Sequence, residues 1–168
     1  VHPDWIDYTN DLVEKHLSAK KDYISVVCGG ANRNDTIFNI VGAIEKDFGV
    51  SDDNIIVTHD SVRPFVSLRV LEENIDAAIK YGAVDTVVPA IDTIVVSQDG
   101  KTISDIPQRD KMYQGQTPQS FRINLIKELY ISLTQEEKKI LTDACKICVV
   151  RDTPVYLVTG ATTNLKIT

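Results

Sequence analysis

Three polar clusters in this chain combine residue types suited to handling phosphate. The first is Gly29-Gly30-Ala31-Asn32-Arg33-Asn34-Asp35-Thr36. Glycines let a backbone approach a ligand closely, and the N–H groups opening a following helix are free to meet one. Thr36 adds a hydroxyl able to read a base edge. Alone, the cluster reads more readily as a plain turn with Asn34 or Asp35 as the helix cap. It is not a Walker loop, because the Gly-Lys-Ser/Thr ending is absent. The second is His59-Asp60-Ser61-Val62-Arg63-Pro64. Asp60 is a hard oxygen donor for Mg²⁺. Ser61 offers a hydroxyl, and Arg63 a fork for phosphate. The competing interpretation is an Asp–Arg pair that only locks a loop. His59 reads as a turn residue, since transfer between phosphates needs little proton removal. The third runs from Gln108-Arg109-Asp110-Lys111 to Gln114-Gly115-Gln116-Thr117-Pro118-Gln119. Its charges alone would suit a solvated surface. Likewise Thr142-Asp143-Ala144 could be a helix cap, and Lys166 a surface lysine.

The elements that must hold these clusters alternate. Trp5, Ile6, Leu12, Val13 and Leu17 recur at helical spacing. Tyr23 to Cys28 reads as a strand entering the Gly29-Gly30 turn. Ile37, Ile40, Val41 and Ile44 mark a helix with Gly49 as its cap. Ile55 to Thr58 is a second strand, ending at His59-Asp60. Leu71, Ile75, Ala78 and Ile79 mark a helix stopped at Gly82, and Val84 to Ile91 is a third strand. This alternation predicts an α/β fold with a mainly parallel sheet, helices on both faces, and the three strands as neighbours. Ligands of such sheets bind beyond the carboxyl ends of strands, where the first two clusters lie. Asp92 to Ile106 then reads as a polar hairpin around Asp99-Gly100, projecting as an arm. Phe121 to Ile131 reads as a helix, Thr134 to Ile140 as another opened by a Thr134/Glu137 capping box, and Val155 to Val158 as a late strand. No repeat or linker divides residues 1–168, which read as one domain.

Composition sets the class. The chain has 168 residues and a formal net charge of −6. That charge argues against bulk nucleic-acid binding but leaves small anions open. No apolar run reaches membrane-spanning length, and the first residues lack signal-peptide features, so a cytoplasmic location is expected. The 3 cysteines fit a reducing compartment. Cys145 and Cys148 share a helix face and read as small buried apolar residues, since one C-x-x-C pair cannot complete a zinc site.

Taken in order, GG-x-x-R-x-x-T, H-D-S-V-R-P, the D-T-I hairpin, Q-T-P-Q, T-D-A and N-x-K-I-T span nearly the whole chain. The series resembles the nucleotidyltransferases that make CDP-activated polyol phosphates. Ribitol-5-phosphate cytidylyltransferase and methylerythritol-phosphate cytidylyltransferase are the relevant members. Asp60-Ser61-Val62-Arg63-Pro64-Phe65, Met112 to Phe121 and Leu141 to Cys148 look most like the ribitol enzyme. The isoprenoid enzyme typically reads H-D-A-A-R-P and lacks the Tyr-Gln-Gly stretch.

The resemblance implies a Rossmann-like three-layer fold and attack of a polyol phosphate oxygen on the α-phosphate of CTP, expelling pyrophosphate, with Mg²⁺ offsetting charge. For the ribitol enzyme the product would feed teichoic-acid or other cell-surface polymer synthesis. It implies that Gly30, Ala31, Asn32, Arg33, Asn34, Asp35 and Thr36 line the CTP site, with Ser61 adding a contact. Asp60 and Arg63 would face the ribose, metal or acceptor. Arg109 and Lys166 would position the acceptor phosphate, and Thr93 and Thr142 would touch the acceptor. A homodimer is implied, each arm embracing its partner. The resembling family also opens with a strand, a glycine-rich L-A-G-G-x-G-x-R loop and P-K-Q, and closes with a helix beyond Ile167-Thr168. On that expectation the chain is truncated at both ends and inactive alone. Two other classes are a noncatalytic nucleotide-binding module and a structural domain whose clusters are ordinary turns.

Overall fold

The computed structural model describes residues 1–167, so Thr168, the last residue of the N-x-K-I-T series, lies outside the described residues. Helix α1 spans Ile6–Leu17, α2 Arg33–Phe48, α3 Leu68–Tyr81, α4 Ile123–Ser132, α5 Gln135–Lys139 and α6 Cys145–Val150. Strands are β1 Ile55–Thr58, β2 Ala83–Pro89, β3 Tyr113–Arg122 and β4 Tyr156–Thr159. No helix among the described residues is long and apolar enough to cross a membrane.

The sheet order is β1-β3-β2-β4. Strands β1, β2 and β4 run in one direction, and β2 pairs with β4 in parallel. The expected α/β architecture is present, but the sheet is mixed. Strand β3 lies between β1 and β2 and is antiparallel to both, so those two strands are not neighbours. Residues Tyr113 to Arg122 carry glutamines, a glycine and a proline, which argue against a central strand. The ladder accommodates the proline at an irregularity, where the β2–β3 register shifts between Asp85 and Val87. There Thr86 Oγ1 donates to Pro118 O at 2.6 Å.

Two predicted elements differ. Tyr23 to Cys28 is not a strand of this sheet. Beside it, the Val1 ammonium donates to Val27 O at 2.9 Å and Gly29 N to Val1 O at 2.7 Å. The Asp92–Ile106 segment is no extended hairpin: a single antiparallel bridge joins Val96 and Asp105. Asp99 holds its turn by accepting from Lys101 N and Thr102 N, both at 2.8 Å. The Thr102 and Lys101 N–H bonds hold its carboxyl well below the usual range.

Side chains alternate across the sheet. Ile56, Ala83 and Phe121 face a core completed by Ile37 and Val41 of α2, Ile126 of α4 and Ile147 of α6. Val84 faces the opposite way, packing with Val158 and with Ala78 of α3. Helices thus cover both faces. Cys145 and Cys148 are buried thiols in the first core, as expected. The capping box at Thr134/Glu137 is present, with Glu137 N donating to Thr134 Oγ1 at 3.2 Å. Gly49 and Gly82 end α2 and α3 at φ 69° and 89°, a region L side chains avoid.

Phe121 is 0 % exposed at the centre of the larger core. Phe121→Ala is expected to destabilise the fold by about 3–5 kcal/mol, the transfer loss plus the cavity. Urea unfolding with an unchanged m-value would measure it.

Candidate functional site

The polar turns after Cys28 and after β1 come together at one end of the sheet. Asn32, not Asn34 or Asp35, caps α2: its Oδ1 accepts from Asp35 N at 3.0 Å. Gly30 closes the turn against the helix. Its N–H donates to Thr36 Oγ1 at 3.0 Å, and that hydroxyl donates to Asn32 O at 2.9 Å. A Cβ on Gly30 would sit 2.7 Å from Asp35 C and 2.9 Å from Thr36 N, so only glycine lets the loop lie this close to the helix. Ala31 and Asn32 are exposed on this turn, whereas Asn34 is buried.

The loop after β1 is fixed by a relay. Asp60 N donates to Thr117 Oγ1 at 3.1 Å. Thr117 Oγ1 lies 3.0 Å from His59 Nδ1, and His59 Nε2 lies 2.8 Å from Arg63 O. A carbonyl only accepts, so Nε2 donates to Arg63 O. His59 is therefore the turn residue expected. The Asp60 carboxylate lies between two guanidiniums, at 3.3 Å from Arg33 Nη2 and 3.8 Å from Arg63 Nε. Arg63 Nη1 donates to Asn164 O at 2.8 Å, and Ile167 N donates to Val62 O at 2.8 Å. The segment carrying exposed Lys166 is thereby tied to the Asp60 loop.

Three further polar residues join the cluster. Gln119 of β3 is 1 % exposed. Its Oε1 accepts from Arg33 Nη1 at 3.3 Å. Its Nε2 donates to Asp85 Oδ1 at 3.0 Å and to both Asp143 oxygens at 2.9 Å. Asp143 Oδ1 also accepts from Cys145 N at 2.7 Å, so the cap role read for Thr142-Asp143-Ala144 is real but incomplete. Sequence reasoning missed Gln119 and Asp85 as site residues. Asp85 had a visible signal: a carboxylate amid Ala83-Val84 and Val87-Val88, where an apolar strand should be.

Burial pushes the Asp85 carboxyl up from 3.8 to about 6; the Gln119 hydrogen bond opposes this and the Asp143 charge adds to it. Burial likewise pushes Cys148 up to about 11 and Cys145 above the usual thiol range. Both thiols stay protonated at neutral pH and serve as packing.

Between α2 and β1 lies a cleft of about 560 Å³ whose polar wall is Arg33, Thr36, Thr58, His59, Asp60 and Ser61. A larger groove of about 740 Å³ is walled mainly by Ile24, Val26, Val27, Ile40, Ile44 and Phe48. It holds none of the expected site residues. Arg109 and Thr93 lie elsewhere, at the base of the 92–106 segment, where Arg109 Nη1 donates to Ile91 O at 3.2 Å. Among the described residues no hydrogen bond or ion pair links Arg109 to Arg33, Asp60 or Lys166. No group of three or more His, Cys, Asp or Glu side chains among them could hold a metal alone. Mg²⁺, however, characteristically takes one or two carboxylates together with substrate phosphates and water. Asp60 on the cleft wall fits that donor set.

Residues 1–168 match the family model described as IspD: 2-C-methyl-D-erythritol 4-phosphate cytidylyltransferase. Among solved structures, the chain is similar to 4-diphosphocytidyl-2C-methyl-D-erythritol synthase from Anaerococcus prevotii. That match has 28% identity and a TM-score of 0.77, over 99% of this chain and 70% of that one. It is also similar to 2-C-methyl-D-erythritol 4-phosphate cytidylyltransferase from Thermus thermophilus, at 29% identity and a TM-score of 0.70, over 84% of this chain and 66% of that one. The Francisella tularensis enzyme of the same name shares the fold, at 22% identity and a TM-score of 0.75, over 85% of this chain and 66% of that one. The chain thus spans about two thirds of the length of these relatives.

A pH experiment follows from Asp85. Its native pKa of about 6 lies above the ordinary 3.8, so the fold favours the protonated form. Its contribution to stability is full below about pH 4 and lost as pH rises through about 6. Asp85→Asn keeps the acceptor for Gln119 without the charge. Its stability relative to the parent is expected to rise between pH 4.5 and 7.5, on the order of 2 kcal/mol. Urea unfolding of both proteins at the two pH values measures it, and a pH-independent difference would contradict it.

Proposed function

Because the chain belongs to the 2-C-methyl-D-erythritol 4-phosphate cytidylyltransferase family, we propose that it acts in transfer of a cytidylyl group from CTP to a polyol phosphate. The observation that carries this is the convergence of Arg33, Thr36, Asp60 and Ser61 on one cleft. The attacking atom is an oxygen of the acceptor phosphate, and the bond broken joins the α-phosphate of CTP to the departing pyrophosphate. No proton need be removed from an ionised phosphate, so the residues act by positioning and charge. Gly30, lacking a Cβ, lets the turn lie against α2. Thr36 on the cleft wall, with Ala31 and Asn32 on the turn beside it, would meet the nucleoside, whereas Asn34 is buried and Asp35 bonds Tyr130 instead. Arg33 and Arg63 meet phosphate charge, and Ser61 adds a hydroxyl. Asp60 would hold a divalent cation, which would supply further charge neutralisation.

For the acceptor we favour ribitol 5-phosphate, on Asp60-Ser61-Val62-Arg63-Pro64-Phe65 and the Tyr113-Gln114-Gly115 stretch. The second reading, 2-C-methyl-D-erythritol 4-phosphate, is supported by the names of the family and of the relatives. Thr142 and Lys166 would contact either acceptor. Pyrophosphate release measured with CTP, Mg²⁺ and each polyol phosphate in turn separates the two. Ribitol 5-phosphate should give the larger kcat/KM, and the reverse order would move the acceptor to methylerythritol phosphate. Asp60→Asn should lower turnover without unfolding the protein. Unchanged kinetics at limiting Mg²⁺ would remove Asp60 from the site.

Arg109 belongs to the same proposal through assembly. The 92–106 segment and its base expose Ile91, Val95, Ile103 and Ile106, apolar surface suited to a partner subunit. In a two-fold dimer each arm would carry Arg109, and Thr93 beside it, toward the other subunit's acceptor. A guanidinium there grips a phosphate at two points, which lysine cannot copy. Mixing Arg109→Ala with Thr36→Arg, each inactive alone, is expected to restore activity in mixed dimers, which would hold one intact site. Confirmed subunit exchange with no recovery would refute sharing of the site.

A further inference from the structure

Resting on the nucleotide reading above, we infer that Asp85 is a positioning residue: its carboxylate sets the orientation of the Gln119 amide and, through it, aims Arg33 at the cleft. A primary amide has an acceptor end and a donor end. The acceptor end of Gln119 faces Arg33 Nη1 at 3.3 Å, and its donor end faces Asp85 Oδ1 at 3.0 Å. Turning the amide over would set Oε1 against carboxylates and Nε2 against a guanidinium. With Gln119 1 % exposed, no water can relieve either conflict.

Asp143 alone is a weaker anchor for the amide. Its side chain is 42% exposed, and its Oδ1 already accepts from Cys145 N at 2.7 Å. Asp85 is carried by the backbone of a central strand, opposite Gln119 itself in the β2–β3 ladder. The charged and titratable groups facing it are Asp143 and Cys145 at the start of α6 and Arg33 on α2. Cys145 stays neutral, so the charges that matter are two carboxylates and one guanidinium.

Ionised, Asp85 can only accept, and it holds Nε2 toward itself. Protonated, its hydroxyl needs an acceptor. The acceptors in this network are Gln119 Oε1 and the Asp143 carboxylate. The first competes directly with Arg33. The second takes a lone pair that Nε2 now uses. Either way the guanidinium loses a fixed partner and retains Asp60. The carboxyl, pushed up to about 6 by burial, makes this exchange near neutral pH. No bond other than the O–H bond forms or breaks.

The test follows the side-chain NH₂ of Gln119 and the Nε–H of Arg33 by NMR in ¹⁵N-labelled protein between pH 5 and 8, without nucleotide. Both signals are expected to shift together, with one midpoint near pH 6. Asp85→Asn, whose amide pairs an acceptor oxygen with a donor as the protonated acid does, should hold both near their low-pH parental positions throughout. A purely packing role would move neither signal with pH. CTP affinity, measured in parallel at pH 7.5 and 5.5, should fall in the parent by about fivefold more than in Asp85→Asn, the worth of one net hydrogen bond. Using that ratio cancels protonation of the nucleotide itself. An Arg33 signal that does not titrate in the parent, or titrates unchanged in Asp85→Asn, overturns the inference. So does a pH response of CTP affinity identical in the two proteins. Coupled titration without CTP binding at any pH supports Asp85 as the positioning residue and overturns the nucleotide reading instead.

Discussion

The Gln119 side chain bonds at both ends: its oxygen accepts from Arg33 Nη1, and its nitrogen donates to Asp85 and Asp143. It therefore joins α2, β2 and the start of α6 through one residue of β3. The sheet makes this possible. Alternation along β3 places Gln119 and Phe121 on one face and Ser120 on the other. Phe121 fills the core beneath α2, α4 and α6. Two residues earlier, the same face delivers a polar group to the sheet's rim. Ser120 Oγ, on the opposite face, donates to Asn74 Oδ1 at 3.3 Å, and Asn74 Nδ2 donates to Thr86 Oγ1 at 2.8 Å. A one-residue slip of β3 would exchange these sets, burying the serine among apolar groups and pointing Phe121 at the Asn74 network. Register, core and site are thus one constraint.

What could be read from sequence was whatever local chemistry determines. Caps at Gly49, Gly82 and Thr134, helical spacing in α2 and α3, and the apolar runs of β1 and β2 all report on neighbours a few residues apart. The turn around Gly30 was legible for the same reason, although the cap proved to be Asn32. Strand β3 was not legible. A run containing Pro118, Gly115 and three glutamines has little β propensity, and it forms because β1 and β2 each offer it a ladder. The opposite failure occurred at Tyr23 to Cys28, where strong propensity met no partner strand in this sheet. Propensity is a property of the segment, whereas a strand is a property of a pair.

The candidate site divides the same way. Arg33, Asp60 and Arg63 were visible as charged residues in turns after apolar runs. Gln119 was embedded in a motif with no indication of its direction. Asp85 was visible only as an anomaly in an apolar strand, and the anomaly has a physical cost. Two carboxylates share one amide nitrogen, and burial favours the neutral form of Asp85. Such arrangements persist where a surrounding structure over-determines them, and they concentrate at sites of function.

The geometry of Arg33 bears on what the cleft can accept. Its contacts are at 3.3 Å to Gln119, 3.3 Å to Asp60 and 4.0 Å to Asp143. Charge-assisted hydrogen bonds to carboxylates settle nearer about 2.7–2.9 Å when they are the guanidinium's final partners. Arg33 is surrounded by acceptors without being tightly bound by any. The Nε of Arg63 is similar, buried without a hydrogen-bond partner and 3.8 Å from Asp60. Asp60 is thus shared by two cations that each retain donor capacity. On the proposed function, a phosphate meeting Arg33 would not have to break a strong ion pair, since the Asp60 contacts stand at 3.3 and 3.8 Å.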